Sequence, residues 1–73
     1  MPRTLPVISG AQCVAALLLH GFERVSQKGS HVKLRTGGRT VIVPMHDELA
    51  RGTLRSILAQ AGLDAETFVA LLG

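Results

Sequence analysis

The sequence predicts an α+β fold in which a three-stranded antiparallel sheet packs against helices, in the order α-β-β-β-α-α. Apolar residues recur at helical spacing near the amino terminus and again in the last third of the chain. Between these segments, apolar and polar residues alternate on either side of paired glycines, as in a β-hairpin. We therefore expect one domain over residues 1–73, with an irregular lead-in over residues 1–8.

Composition and charge limit the classes of function. The chain has 73 residues, of which 47% are hydrophobic and 18% are charged, which is typical of a folded domain. The net charge of +3 permits an anionic partner such as nucleic acid without requiring one. A single cysteine, Cys13, excludes an internal disulfide, disfavours a zinc cluster and fits a cytoplasmic location. The apolar run over residues 14–19 is too short to span a membrane, and the high apolar content predicts exposed surface that meets a partner.

The first helix is predicted to begin at Ser9 and to end at Gly21. Ser9 and Gln12 match a capping box, in which each side chain accepts a hydrogen bond from the other's backbone N–H. Gly21 suits the left-handed position that ends many helices, and His20 is then a cation at the carboxyl end of the helix. The predicted core-facing stripe comprises Ala11, Val14, Leu17 and Leu18.

Three strands are predicted over residues 22–27, 30–35 and 39–43, joined by turns at Lys28-Gly29 and Gly37-Gly38. The second turn places Leu34 opposite Val41 and Val32 opposite Val43. All four of these residues then share one face, which we expect to be the core face, because a shift of one residue would pair apolar with polar side chains.

The first turn predicts the register of the first strand. It places Val25 on the core face opposite Val32, with Arg24 and Ser26 on the other face. Phe22 does not fit this alternation, and we expect it to pack under the first helix. The third strand ends at the proline that follows residue 43.

Two helices are predicted to complete the chain. Thr53 can cap a helix over residues 54–61 that Gly62 ends, after a polar connection over residues 46–52. Asp64 can cap a short last helix. The last helix is expected to bury Phe68, Val69 and Leu72.

The candidate active site lies on the middle strand. Alternate residues of a strand point to one face, so His31, Lys33 and Arg35 lie on the same side, with Lys28 at the turn. Neighbouring cations favour the neutral imidazole, which can accept a proton from a ribose 2′-hydroxyl, and they can hold the phosphate that this hydroxyl attacks. The pattern predicts His31 as catalytic base, or as acid and base in turn, with Lys28, Ser30, Lys33 and Arg35 as RNA contacts.

Simpler interpretations exist for each of these residues. A histidine at a strand end is often only a solvated polar residue. His46, which follows the third strand at the same end of the sheet, is a second candidate acid or base, or it lies in solvent. His20 is adequately explained by the helix terminus, and Cys13 by packing. The three histidines do not have metal-ligand spacing, so we expect neither a metal nor another cofactor.

A family resemblance rests on four blocks of sequence. They are Gly21-Phe22, Gln27-Lys28-Gly29-Ser30-His31, Val43-Pro44-Met45-His46 and Gly52-Thr53-Leu54-Arg55-Ser56-Ile57-Leu58-Ala59-Gln60-Ala61-Gly62. At this spacing, over about residues 9–72, the chain resembles the HicA toxin family. The Gly-Ser-His and Gly-Thr-Leu-Arg segments are specific in combination, although each alone is weak.

The resemblance implies a fold like that of a double-stranded-RNA-binding domain (dsRBD-like). It implies a toxin of a bacterial type II toxin–antitoxin system that cleaves messenger RNA and arrests translation, with the key histidine at His31. The implied partner is a HicB-type antitoxin that covers the active site. Leu34 departs from the family, which often has an aromatic residue there, and His46 matches a frequent histidine whose role the resemblance does not settle.

Taken together, the sequence predicts a metal-independent endoribonuclease. The main alternative is a small RNA-binding domain that uses the same basic surface without chemistry, and a third is a protein whose task is to dock another subunit. Because the chain has only two aromatic residues, base stacking should be minor. RNA binding should then be mostly electrostatic, with loose sequence preference and strong salt dependence.

Overall fold

The computed structural model describes residues 5–72 and has the predicted order of elements. They are α1 (Gly10–His20), β1 (Glu23–Lys28), β2 (His31–Thr36), β3 (Arg39–Pro44), α2 (Arg51–Ala61) and α3 (Ala65–Leu71). The strands form an antiparallel sheet in the order β1-β2-β3, which confirms the α+β, α-β-β-β-α arrangement. Part of the predicted lead-in, residues 1–4, lies outside the described residues.

Helix α1 has the predicted ends. The Ser9 hydroxyl accepts the Gln12 N–H at 3.0 Å, and the Gln12 side chain accepts the Ser9 N–H at 2.9 Å. Gly21 adopts a φ of 113° and closes the helix. The predicted stripe is partly wrong, because Ala11 and Leu18 are exposed. The buried residues of α1 are Gly10, Cys13, Val14, Ala16 and Leu17. Since α1 is apolar on most of its circumference, spacing alone could not select the face that packs.

The β2–β3 hairpin confirms the predicted register. Leu34 pairs with Val41 and Val32 pairs with Val43. All four side chains are fully buried. On β2 and β3, this face of the sheet forms one wall of the core, and the helices cover it.

The predicted register of β1 is wrong. Lys28 pairs with His31, so the loop is Gly29-Ser30, one residue later than predicted. Gly29 has a φ of 59°, and glycine at the first loop position is typical of a type II′ hairpin. A β-bulge between Arg24 and Ser26 takes up an extra residue. These two features move β1 relative to its partner.

The bulge changes where several β1 side chains lie. Val25 is 49% exposed instead of packing in the core. Arg24 pairs with Leu34, on the face opposite to the one predicted, whereas Ser26 pairs with Lys33 as a member of the His31 face. Phe22 precedes the strand and is buried as predicted, beside the carboxyl end of α1.

The carboxyl-terminal helices confirm one predicted cap and correct the other. Helix α2 begins at Arg51, after an Ala50 that provides no side-chain cap, so Thr53 lies inside the helix and does not cap it. Asp64 caps α3 by accepting the Thr67 N–H at 2.7 Å. Phe68 is fully buried as predicted. Val69 and Leu72 are only partly buried.

The core lies between one face of the sheet and the three helices. Its larger members are Leu17, Phe22, Val32, Leu34, Val41, Val43, Leu54, Ile57 and Phe68. In the described part of the chain every buried side chain is apolar. No helix within residues 5–72 is long and apolar enough to cross a membrane. Large apolar side chains exposed on the surface are Val7, Leu18, Leu19, Val25 and Ile42, as the composition led us to expect.

Candidate active site

Three cross-strand rows of side chains form the sheet face that points away from the core. Residues directly opposite each other on antiparallel strands project to the same face. The rows are Lys28–His31–Pro44, Ser26–Lys33–Ile42 and Glu23–Arg35–Thr40. We call these nine residues the basic face, because they include His31 and three lysine or arginine side chains against one carboxylate.

His31 lies at one end of the basic face with its side chain exposed. Its partners are Lys28 on β1 and Pro44 on β3. Directly opposite residues have Cβ atoms roughly 4.5–5.5 Å apart, so the Lys28 ammonium group is within reach of an anion that touches the imidazole. The sequence placed Lys28 in the turn, whereas the corrected register places it in the strand beside His31.

Lys33 and Arg35 continue the basic face along β2. Lys33 is half-buried between Ser26 and Ile42, and Arg35 is exposed between Glu23 and Thr40. The two cations therefore follow His31 on one side of a single strand, as predicted. An extended polyanion could contact all three in succession.

Hydrogen bonds hold the turn that precedes His31. The Gln27 side chain accepts a hydrogen bond from Arg24 and donates one to the Gly29 carbonyl at 3.1 Å. On the other side, the Met45 N–H donates to the Ser30 carbonyl at 2.6 Å. These bonds tie the turn to β1 and to the residue that follows β3, which fixes the backbone from which His31 projects.

Ser30 lies in the two-residue loop, directly before His31, with its side chain exposed. The Ser30 backbone has a structural role, because its carbonyl oxygen accepts a hydrogen bond from the Met45 N–H. The hydroxyl remains available to a ligand at the same end of the basic face.

His46 lies at the same end of the sheet as His31. It follows Pro44, the partner of His31, by two residues, and its side chain is exposed. The His46 carbonyl accepts the Gly10 N–H at 2.9 Å, so the start of α1 holds this segment in place. Sequence reasoning anticipated this placement, and the proton-transfer role of His46 stays a prediction.

Sequence reasoning missed three residues that shape the site. Gln27 braces the turn, and only its place in the family blocks drew attention to it. Gly10 permits close contact, because a Cβ there would lie 2.2 Å from the Pro44 carbonyl oxygen. Val25 occupies the bulge, for which the sequence carries no signal that we can identify.

Other chemical groups in the described residues are less suited to reaction. No cluster of three or more histidine, cysteine, aspartate or glutamate residues that could hold a metal occurs within residues 5–72. Burial raises the pKa of the Cys13 thiol to about 12, so this thiol is protonated at neutral pH. Cys13 is therefore a packing residue, as predicted.

Comparison with known proteins places the chain in a family. A search of curated proteins returns no match. A family model described as HicA toxin of bacterial toxin-antitoxin matches residues 10–63, which include all three strands, α1 and α2. The match covers well over half of the chain and includes His31, Lys33, Arg35 and His46. The chain therefore belongs to the HicA toxin family of bacterial toxin–antitoxin systems.

Proposed function

We propose that this toxin is a metal-independent endoribonuclease that cleaves messenger RNA in the cytoplasm and arrests translation. The observation that supports the proposal is the exposed imidazole of His31, which lies beside Lys28 and is followed on the same side of β2 by Lys33 and Arg35. An imidazole can transfer the protons of RNA transesterification, and adjacent cations can stabilise the charge that develops on the phosphate.

The reaction begins with proton transfer from a ribose 2′-hydroxyl to the neutral imidazole of His31. The 2′-oxygen then attacks the adjacent phosphorus, and the bond from phosphorus to the 5′-oxygen breaks. The leaving 5′-oxygen takes a proton from His46, or from the His31 imidazolium in turn. The products are a 2′,3′-cyclic phosphate and a free 5′-hydroxyl, and no metal is needed to balance the step.

The cations stabilise the charge that develops on the phosphate. Lys28 is the nearest of them to His31 in the cross-strand row, so it is the first candidate to contact the scissile phosphate. Lys33 contacts a phosphate further along the RNA, Arg35 contacts the RNA beyond it, and Ser30 can donate its hydroxyl to a phosphate oxygen beside the turn.

The partner of the toxin is a HicB-type antitoxin. A toxin–antitoxin pair requires that the antitoxin silence the toxin, and an open basic face is the surface to cover. An acidic surface would match its charge. Exposed apolar side chains such as Ile42, which is 41% exposed within the basic face, add contact area.

The experiment that tests the proposed chemistry removes the 2′-hydroxyl, which is the proposed nucleophile, from one position of the RNA. An oligonucleotide is cleaved by the purified protein in excess chelator, the cleaved bond is mapped, and a second oligonucleotide carries a single 2′-deoxyribose at that position. We expect cleavage at this bond to disappear and a cyclic phosphate to be found on the all-ribose product. Equal cleavage of both oligonucleotides would contradict the mechanism.

A non-catalytic RNA-binding domain is the alternative that the same basic face supports. It predicts that the protein retains RNA on a filter while the RNA keeps its full length. The test above separates the two functions, because a binding domain yields no shortened product from either oligonucleotide.

A further inference from the structure

An open groove of about 280 Å³ borders the basic face at the end remote from His31, where Glu23 and Arg35 belong to both. Its walls are Gly21, Glu23, Val25, Arg35, Thr36 and Gly37. Arg35 follows His31 by four residues on β2, which corresponds to about 13 Å along an extended strand. An RNA strand bound at His31 can therefore reach the groove within a few nucleotides.

The bulge in β1 provides one wall of the groove. It adds Val25 to a strand in which Glu23 and Ser26 already face the same side through their partners Arg35 and Lys33. Consequently a carboxylate, an apolar wall and a guanidinium group meet in one depression.

Two of the residues that line the groove are glycines, which project no side chain into it. A Cβ at Gly21 or Gly37 would meet nothing within 4 Å, and both residues have positive φ, which disfavours any other amino acid. The groove is thus accessible to a flat ligand that enters from the surface.

We propose that this groove is a nucleobase subsite that prefers guanine, an inference that rests on the RNA-cleaving function proposed above. An ionised carboxylate only accepts hydrogen bonds, and a guanidinium group only donates them. Guanine offers two adjacent donors, N1–H and the N2 amino group, to Glu23, and the acceptors O6 and N7 to Arg35. Val25 packs against the face of the base.

The other bases match this pair of groups less well. Adenine and cytosine each present one amino group to the carboxylate, and uracil presents a single N–H. Each leaves one carboxylate oxygen without a partner. The preference that results is for one position of the RNA, which is consistent with loose sequence specificity elsewhere on a surface that binds phosphates.

The test measures RNA binding by a variant that lacks the proposed catalytic imidazole. The His31→Ala protein is titrated with two oligonucleotides of equal length, one with a single guanine and one in which adenine replaces it. We expect the guanine oligonucleotide to bind at least about fivefold more tightly, the lower end of what a bidentate base contact provides. Glu23→Gln in the same background should abolish most of that ratio, because an amide has one acceptor where the carboxylate has two.

The matched control is Glu66→Gln, which removes the same charge from an exposed residue of α3. It should keep the guanine preference. Equal binding of both oligonucleotides, or a preference that survives Glu23→Gln, would overturn the subsite.

Failure of the subsite and failure of the proposed function give different results. If the native protein cleaves RNA but shows no guanine preference, the subsite is wrong and the ribonuclease stands. If it binds guanine-containing RNA preferentially and never cleaves, the subsite stands and the ribonuclease is wrong. Absence of all RNA binding would contradict both.

Discussion

At the scale of single residues, Gly10 leaves less room for a Cβ atom than any other glycine that the structure describes. A Cβ at Gly10 would lie 2.2 Å from the Pro44 carbonyl oxygen and 2.8 Å from the Met45 Cα. Both obstacles are backbone atoms, so they cannot rotate away. Gly10→Ala must therefore separate α1 from the end of β3 and from the segment after it, which contains His46.

We expect Gly10→Ala to lower the free energy of unfolding by about 1–3 kcal/mol, measured by urea denaturation. Gly52→Ala is the matched control. A Cβ at Gly52 meets nothing within 4 Å, and alanine favours the helix, so this change should raise the free energy of unfolding by about 0.5–1 kcal/mol. The contrary finding would be that both variants are equally stable.

Cys13 provides a probe of the core. Because burial raises its pKa to about 12, the thiolate is scarce at neutral pH and the sulfur is inaccessible. We expect a thiol-reactive dye to label the native protein far more slowly than the protein in concentrated urea. Equal labelling rates in the two states would show that α1 does not pack on the sheet as described.

At the scale of elements, the second hairpin was predictable and the first was not. The apolar residues of β2 and β3 fall into register only one way around Gly37-Gly38, so pattern and turn agree. Strand β1 is exposed along its whole length, so burial does not select its register. The turn geometry of Gly29 and the bulge decide it instead, and neither can be read from hydrophobic alternation.

Helix α3 depends on the Asp64 cap, and this dependence should vary with pH. The hydrogen bonds from Thr67 lower the pKa of the Asp64 carboxyl below its ordinary value near 3.8. A carboxyl group whose pKa is lower in the folded state stabilises the fold fully at pH values above its ordinary, unfolded-state pKa. This contribution is lost as the pH falls through the lowered, folded-state pKa.

Asp64→Ala should therefore lower the Tm at pH 7, and its difference from the native protein should shrink in acid. Asp64→Asn is the control, because asparagine also caps helices but does not titrate. A difference between Asp64→Ala and the native protein that is the same at pH 7 and in acid would exclude the carboxylate as the stabilising form.

At the scale of the whole molecule, the sequence predicted the location of the candidate site. It did not predict the full arrangement of the residues around that site. Alternation along β2 placed His31, Lys33 and Arg35 on one exposed side, and the structure agrees. The position of Lys28 beside His31 depends on the shifted register, and the position of Val25 in the wall of the groove depends on the bulge. Long-range pairing determines both, so local sequence could not predict them.

The basic face should bind RNA with a measurable salt dependence. If Lys28 and Lys33 each contact a phosphate, the slope of log K against log salt is about −1.4 for a single strand. Lys33→Ala should reduce its magnitude by about 0.7. Arg55→Ala, which removes an exposed cation from α2, should leave the slope unchanged. Equal effects of the two variants would mean that RNA binds without preference for the basic face.

The most direct test of the account is the rate at which the purified protein cleaves RNA after His31→Ala. We predict a loss of about 10²–10⁴-fold, the usual contribution of a general acid–base residue, with the circular dichroism spectrum and Tm retained. His20→Ala, which removes an exposed histidine from the end of α1, should cleave at the native rate. A folded His31→Ala protein that cleaves RNA as fast as the native toxin would contradict the account.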